Sequence, residues 1–128
     1  MTNGALPVVL LVDDSATLRS IVKVHLLGSG VRFLEAGTAE QALALCNTEP
    51  VELLILDLHL PGMSGLELTK ALRSGAIPKM QKVPVILLTG DPSQEGEQAA
   101  TAAGVQAFVR KPVNRSKLSE AVNRLLGR

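Results

Sequence analysis

Five polar side chains in this sequence follow short apolar segments, and together they could handle a phosphoryl group. Asp13 and Asp14 follow one segment, Asp57 follows a second, Thr89 ends a third and Lys111 comes shortly after a fourth. The chain contains only four aspartates, so three of them stand at such positions. Carboxylates bind divalent cations, and a carboxylate can also attack phosphorus. An ammonium and a hydroxyl can stabilise the transferred group.

The apolar segments are predicted to be strands of one parallel sheet. They cover residues 8–12, 53–56, 85–88 and 107–109, and a further short strand is predicted at 31–34. Helical patterns separate them, which is typical of βαβ units. Ligand sites of open α/β sheets lie at the carboxyl ends of the strands. We therefore expect the five polar side chains to converge at one sheet edge.

Several helices have start signals in the sequence. Residues 38–41 and 64–67 read as capping boxes, and the second of these helices is expected to run to about Arg73. After the first strand, one apolar helix face is predicted from helical spacing. It comprises Leu18, Ile21, Val22, His25 and Leu26. The face of the next helix is predicted to comprise Ala42, Leu43, Leu45 and Cys46, with Cys46 buried and inert.

Two later segments are predicted to be less firmly packed. Residues 74–84 form the longest connection and are expected to be a solvated loop. Residues 92–103 read as a helix rich in alanine, which buries little area and should move most easily. The last helix has a better apolar face, formed by Leu118, Ala121, Val122, Leu125 and Leu126.

Three carboxylates at one edge would repel each other unless positive charge compensates them. Two unit charges about 4 Å apart cost about 4 kcal/mol at an effective dielectric near 20. Lys111 can offset one charge, and an all-oxygen ligand set suits Mg²⁺ better than zinc. The sequence has neither a Walker pattern nor a dinucleotide fingerprint. The phosphoryl donor is therefore expected to be another protein or a small molecule.

Composition predicts one globular domain, covering residues 1–128, and excludes several classes of partner. The apolar fraction is 46% and the net charge is +1, so no strong field attracts nucleic acid or anionic lipid. There is no Tyr or Trp to stack on bases. A single cysteine and the lack of a signal peptide or membrane-length apolar run predict a cytoplasmic protein.

The motifs around these residues resemble one known family. They are Asp13-Asp14, the segment Asp-Leu-His-Leu-Pro-Gly-Met-Ser-Gly at 57–65, Leu-Thr-Gly at 88–90, and Phe-Val-Arg-Lys-Pro at 108–112. In this order, and at these strand ends, the chain resembles a response-regulator receiver domain of the chemotaxis type over nearly its whole length. The resemblance implies a flavodoxin-like, doubly wound parallel sheet of five strands in the order 2-1-3-4-5, with helices on both faces.

The resemblance also implies a role for each site residue. Asp57 would accept a phosphoryl group from a histidine kinase or a histidine phosphotransfer protein. Asp14, Asp57 and the backbone carbonyl of His59 would bind Mg²⁺ directly, and Asp13 would act largely through water. Lys111 would pair with the phosphoryl oxygens. The domain would catalyse only its own phosphoryl transfer and dephosphorylation.

A conformational switch is implied as well. Thr89 would move toward the phosphoryl group, and Phe108 would turn into the space that this movement leaves. The bond from Lys111 to Pro112 is expected to be cis, and His59 and Asp91 would flank the site and influence the lifetime of the acyl phosphate. Output would pass to a downstream protein through the surface of helix 4, strand 5 and helix 5.

Two other functions are consistent with part of the pattern. A phosphatase of the haloacid dehalogenase kind also uses a strand-end aspartate with Mg²⁺. It needs a second aspartate two residues later, where this chain has His59. The other alternative is an interaction module that keeps the fold without being phosphorylated, against which the retained set of site residues argues.

Overall fold

A computed structural model describes residues 6–90 and 94–128, apart from the side chains of residues 94 and 95. Five strands and five helices alternate along the described chain, as predicted. The strands are β1 Val8–Val12, β2 Arg32–Ala36, β3 Val51–Asp57, β4 Val85–Thr89 and β5 Ala107–Arg110. The helices are α1 Ala16–His25, α2 Ala39–Thr48, α3 Gly65–Arg73, α4 Gln94–Ala103 and α5 Arg115–Leu125.

The strands form one parallel sheet in the order β2-β1-β3-β4-β5, which confirms the predicted fold class and topology. Every residue of β1 and β4 is buried, because helices cover both faces of the sheet. Side chains alternate between the faces along each strand. Leu10 belongs to the part of the core that includes buried residues of α2, α3 and α4, whereas Leu11 belongs to the part on the other face, with residues of α1 and α5.

The predicted capping boxes differ in the structure. The Ser64 hydroxyl accepts the Glu67 N–H, and the Glu67 carboxylate accepts the Ser64 N–H, so this box is complete. The Thr38 hydroxyl likewise accepts the Gln41 N–H. The Gln41 side chain, however, accepts the N–H of Gly37 at 2.8 Å. The prediction of a capping box at residues 38–41 is therefore correct for the Thr38 cap and wrong for the reciprocal bond from the Gln41 side chain.

The apolar face of α1 is narrower than predicted. Val22 and Leu26 are each 2% exposed, whereas Ile21 is 42% exposed. Residues four apart lie on one side of a helix, while adjacent residues differ by about 100°. A buried stripe along Val22 and Leu26 therefore turns Ile21 outward.

The connection between α3 and β4 is largely exposed, as the sequence predicts, but two of its side chains, Met80 and Val83, are buried. A short 3₁₀ turn, Pro78–Met80, places the Met80 side chain in the core with no exposed surface. The Arg73 guanidinium, at the end of α3, donates to the carbonyls of Met80 and Gln81 at 3.3 Å. It also donates to the Gly104 carbonyl at 2.7 Å, so it fastens this connection to the end of α4.

Among its described side chains, α4 buries only alanines. Ala100 and Ala103 face the core, and Ala99 and Ala102 are exposed. By contrast, α5 buries Leu118, Ala121 and Val122. The small buried area supports the expectation that α4 is the less firmly held helix. No helix in the described part of the chain is long and apolar enough to cross a membrane.

Candidate functional site

Three aspartates meet at the carboxyl edge of the sheet, as the sequence predicts. Asp13 and Asp14 follow β1, and Asp57 ends the neighbouring strand β3. One carboxylate oxygen from each residue lies within 4.8 Å of the other two. Asp13 and Asp57 are 4% and 5% exposed, whereas Asp14 is exposed. We call this site the acidic pocket: two of its carboxylates are buried, and the third is accessible to solvent.

Lys111 supplies a positive charge to this pocket. Its Nζ lies 2.8 Å from Oδ1 of Asp57, and the structure places both at the ends of their strands. The Lys111 N–H donates to the Thr89 carbonyl at 2.8 Å, which fixes the residue just past β5. The Lys111–Pro112 bond is cis, as predicted, and Pro112 is exposed.

The carboxylate of Asp13 is only partly satisfied. Its Oδ1 accepts the Ser15 N–H at 2.8 Å, whereas its Oδ2 is buried and has no hydrogen-bond partner. Burial raises the pKa of this carboxyl; the hydrogen bond from Ser15 opposes the increase, and the charge of Asp57 adds to it. A buried acceptor without a donor costs free energy. A cation beside Oδ2 would remove this cost.

The pocket fits a hard divalent cation. The negative charge of the three carboxylates exceeds the positive charge of the one lysine that pairs with Asp57. Their oxygens are close enough to share an ion. Oxygen ligands are those that Mg²⁺ and Ca²⁺ prefer, and the pocket offers neither a thiolate nor an imidazole within the described cluster. The acidic pocket can therefore hold a metal ion of this class.

Thr89 and Phe108 lie on adjacent strands beside the pocket. Thr89 is 5% exposed at the end of β4, and Phe108 is partly buried on β5 opposite Leu87. Both line a cavity of about 150 Å³, together with Leu58, Leu66, Leu87, Gly96 and Glu97. Its lining is mainly apolar apart from Thr89 and Glu97, and a cavity of that size can hold a benzene ring. The structure therefore has room for an aromatic side chain between β4, β5 and α4.

Two further residues, His59 and Asp91, are predicted to flank the site. The His59 side chain is exposed just beyond the end of β3. Asp91 lies outside the described residues. Five of the predicted residues, Asp13, Asp14, Asp57, Thr89 and Lys111, stand at the same sheet edge.

Gly65 fixes the segment that follows Asp57. Its N–H donates to the Leu58 carbonyl at 2.8 Å, so the first turn of α3 packs directly on the end of β3. A Cβ at this position would lie 2.5 Å from the Asp57 carbonyl oxygen and 3.1 Å from a methyl of Leu87. Only glycine therefore allows this close approach. The sequence places Gly65 in the predicted capping box at 64–67 without revealing this contact.

Arg19 is a site neighbour that the sequence analysis missed. Its guanidinium donates to the backbone carbonyl of Asp13 through Nη1 and to the Glu35 carboxylate at 2.9 Å through Nε. Arg19 stands at a polar position of α1, where an arginine is ordinarily solvent-exposed. No local sequence signal distinguishes it from a surface residue.

Comparison with known proteins gives a consistent result. Residues 9–123 match the family model described as response regulator receiver domain. The chain is 31% identical to chemotaxis protein CheY of Pseudomonas aeruginosa, over 94% of this chain and 96% of CheY. Its structure superposes on the chemotaxis response regulator CheY4 of Vibrio cholerae with a TM-score of 0.85, 30% identity and coverage of 94% and 99% of the two chains.

Other relatives are much longer than this chain. It is 35% identical to the sensory/regulatory protein RpfC of Xanthomonas campestris pv. campestris over 88% of its own length. That match spans only 16% of RpfC. The similarity to RpfC is thus confined to a small part of that protein.

Proposed function

The chain belongs to the response regulator receiver domain family, and on this premise we propose that Asp57 is its phosphoacceptor. It is a receiver domain of two-component signalling, a family whose members are typically non-enzymatic and pair with sensor histidine kinases. The observation that carries the proposal is the 2.8 Å contact between Lys111 and Asp57 inside a cluster of three aspartates. This arrangement combines a nucleophile, a cation pocket and a phosphoryl ligand.

In the proposed reaction, a carboxylate oxygen of Asp57 attacks the phosphorus of a phosphohistidine. A P–O bond forms and the P–N bond breaks, which gives an acyl phosphate and an imidazole that takes up a proton from solvent. The donor would be a histidine kinase or a histidine phosphotransfer protein. Lys111 would transfer its contact from the carboxylate to the phosphoryl oxygens, where charge develops.

We propose that the pocket binds a cation and that this cation is Mg²⁺. Asp14, Asp57 and the His59 carbonyl would bind it directly, and Asp13 would act through water. The partnerless Oδ2 of Asp13 supports this arrangement, because a water bound to the cation could donate to it. When bound, Mg²⁺ would neutralise charge on the carboxylates and on the phosphoryl oxygens.

The acyl phosphate is proposed to act as a switch. The Thr89 hydroxyl would move toward it, and Phe108 would turn into the 150 Å³ cavity that both residues line. The few small side chains that hold α4 support a shift of this helix. A downstream protein would then recognise the surface formed by α4, β5 and α5. His59 and Asp91 would tune the lifetime of the phosphorylated state.

The remaining proposals concern the setting of the switch. The net charge of +1 supports output through protein contacts rather than direct binding to nucleic acid or a membrane. A single buried cysteine supports a cytoplasmic location. We propose no turnover of external phosphate esters, because the position two residues after Asp57 is His59 and not the second aspartate of a phosphatase.

The test is phosphorylation by a small phosphodonor in the presence of Mg²⁺, followed by intact mass. The wild-type protein should gain one phosphoryl group, and Asp57→Ala should gain none. Glu52→Ala is the matched control, because Glu52 is an exposed carboxylate on the same strand, and it should be modified like wild type. The absence of an adduct in wild type, or its persistence in Asp57→Ala, would contradict the proposal.

A further inference from the structure

The turn that carries Asp13 and Asp14 is held by a chain of contacts outside the acidic pocket. Arg19 lies one helical turn after the Ser15 cap, and its side chain folds back toward the end of β1. Nη1 donates to the Asp13 backbone carbonyl, while Nε donates to Glu35 Oε1 at 2.9 Å. We call this Glu35–Arg19–Asp13 series the β2–α1 brace.

The sheet itself positions the acidic end of the brace. Glu35 lies on β2, paired in register with Leu11, two residues before Asp13. Lys23 donates to the other oxygen of Glu35 at 2.8 Å, so both oxygens of this carboxylate have a cationic partner. These two hydrogen bonds, that of Lys23 first, lower the pKa of Glu35. Glu35 is thus an ionised and oriented anchor for the Arg19 guanidinium.

Arg19 contacts the backbone of the site and not one of its carboxylates. The guanidinium reaches the carbonyl of Asp13 and has its own counterion in Glu35. The Asp13 carboxylate itself accepts from the Ser15 N–H and not from Arg19. The side chain of Arg19 is only 18% exposed, so its guanidinium group is packed against the turn. It therefore restrains the backbone on which two of the three carboxylates stand.

From this geometry we propose that Arg19 is a positioning residue for the cation pocket, holding the Asp13–Asp14 turn in its metal-binding shape. The inference rests on the proposed function, because it assigns the brace to the same site. Partners that orient metal ligands typically contribute a factor of about 10 to 100 in metal affinity. Without the brace, the repelling carboxylates would be free to separate, and assembling them around a cation would cost more.

The test compares Mg²⁺ affinity by isothermal titration calorimetry among variants that are folded by circular dichroism. Arg19→Ala should weaken binding about tenfold or more. Arg19→Lys should weaken it similarly, because an ammonium cannot span Glu35 and the Asp13 carbonyl with a planar fork. Arg124→Ala is the matched control, since Arg124 is an exposed arginine of α5 outside the brace, and it should bind like wild type.

Several outcomes would overturn the inference. Wild-type affinity in Arg19→Ala would show that the brace supports only the fold, and recovery in Arg19→Lys would show that charge matters rather than shape. If Arg19→Ala does not fold, Glu35→Ala tests the same brace from its other end and should also weaken Mg²⁺ binding. Unchanged affinity in that variant would equally refute the role.

The two proposals fail in different ways. If wild type neither binds Mg²⁺ nor is phosphorylated at Asp57, the proposed function fails before the brace is tested. If wild type does both and the Arg19 variants bind Mg²⁺ equally well, only the role of Arg19 is wrong. The free energy of unfolding, measured in a metal chelator, separates loss of stability from loss of metal affinity.

Discussion

Lys111 and Asp57, which are 54 residues apart in the sequence, form an ion pair of 2.8 Å at the edge of the sheet. The Asp57 side chain is 7% exposed and that of Lys111 is 31% exposed. The carboxylate is thus largely removed from water, and the lysine compensates part of the charge of the acidic pocket. Replacing either residue should change the net charge of the acidic pocket and also remove a group proposed to act in phosphoryl transfer.

Lys111→Met should separate metal binding from phosphoryl transfer. Without the ammonium the pocket is more negative, so calorimetry should show Mg²⁺ binding at least as tight as in wild type. Phosphorylation by a small donor, followed by intact mass, should slow by about 10²-fold because one stabilising donor is lost. Lys117→Met, which changes an exposed lysine of α5, should leave both quantities unchanged. Phosphorylation at the wild-type rate in Lys111→Met would contradict the assigned role.

Asp13→Asn should stabilise the metal-free protein, because it removes one of three mutually repelling carboxylates. Asn keeps an oxygen for the Ser15 N–H, so the turn should survive. Urea denaturation in a chelator at neutral pH should show a gain on the order of 1 kcal/mol. Added Mg²⁺ should stabilise wild type much more than the variant. Equal stabilisation of both proteins by Mg²⁺ would exclude Asp13 from the cation pocket.

The same variant gives a pH test. The folded pKa of Asp13 is raised, chiefly by burial, so its ionised form costs stability at any pH above that value. As pH falls from the folded pKa to the lower pKa of the unfolded chain, Asp13 is protonated in the folded protein and the cost disappears. The stability advantage of Asp13→Asn should therefore shrink as the pH is lowered. Urea denaturation in chelator across this pH range measures the difference in the free energy of unfolding between the variant and wild type. An advantage that grows on acidification would contradict the prediction.

Gly65→Ala should destabilise the protein, because the new Cβ would meet the Asp57 carbonyl oxygen at 2.5 Å. Backbone atoms cannot yield as a flexible side chain does, so overpacking should cost about 1–3 kcal/mol. Gly37→Ala is the control, since the nearest atom to its Cβ would be 3.7 Å away, in ordinary contact. Thermal denaturation of the two variants should differ clearly. A Gly65→Ala protein as stable as wild type would show that α3 shifts without cost.

Cys46 should be protected from alkylation in the folded protein. Its side chain has no exposed surface, and burial raises the pKa of the thiol to about 11. Since only the thiolate reacts, iodoacetamide labelling at pH 8 should be at least about 100-fold slower than in urea. The chain has one cysteine, so intact mass reports this site alone. Rapid labelling under native conditions would mean that α2 opens far more easily than its packing indicates.

Sequence reasoning worked best where a signal was local or repeated. Alternating apolar segments and helical patterns predicted the five strands, and Ser64 with Glu67 predicted the start of α3. Reasoning failed where a residue depends on distant partners. Met80 appeared to belong to a loop, and its burial follows from the turn that Arg73 fastens to the end of α4.

What this sequence determined by itself is the content of the site: three aspartates, a threonine and a lysine at strand ends, and therefore the chemistry they can perform. Parallel strands bring such ends together whatever the details of packing. Only the tertiary structure decided that Asp13 and Asp57 are buried while Asp14 is open, and that Arg19 braces the turn. Burial and long-range hydrogen bonds depend on how helices pack across the sheet, and no local pattern of residues encodes that geometry.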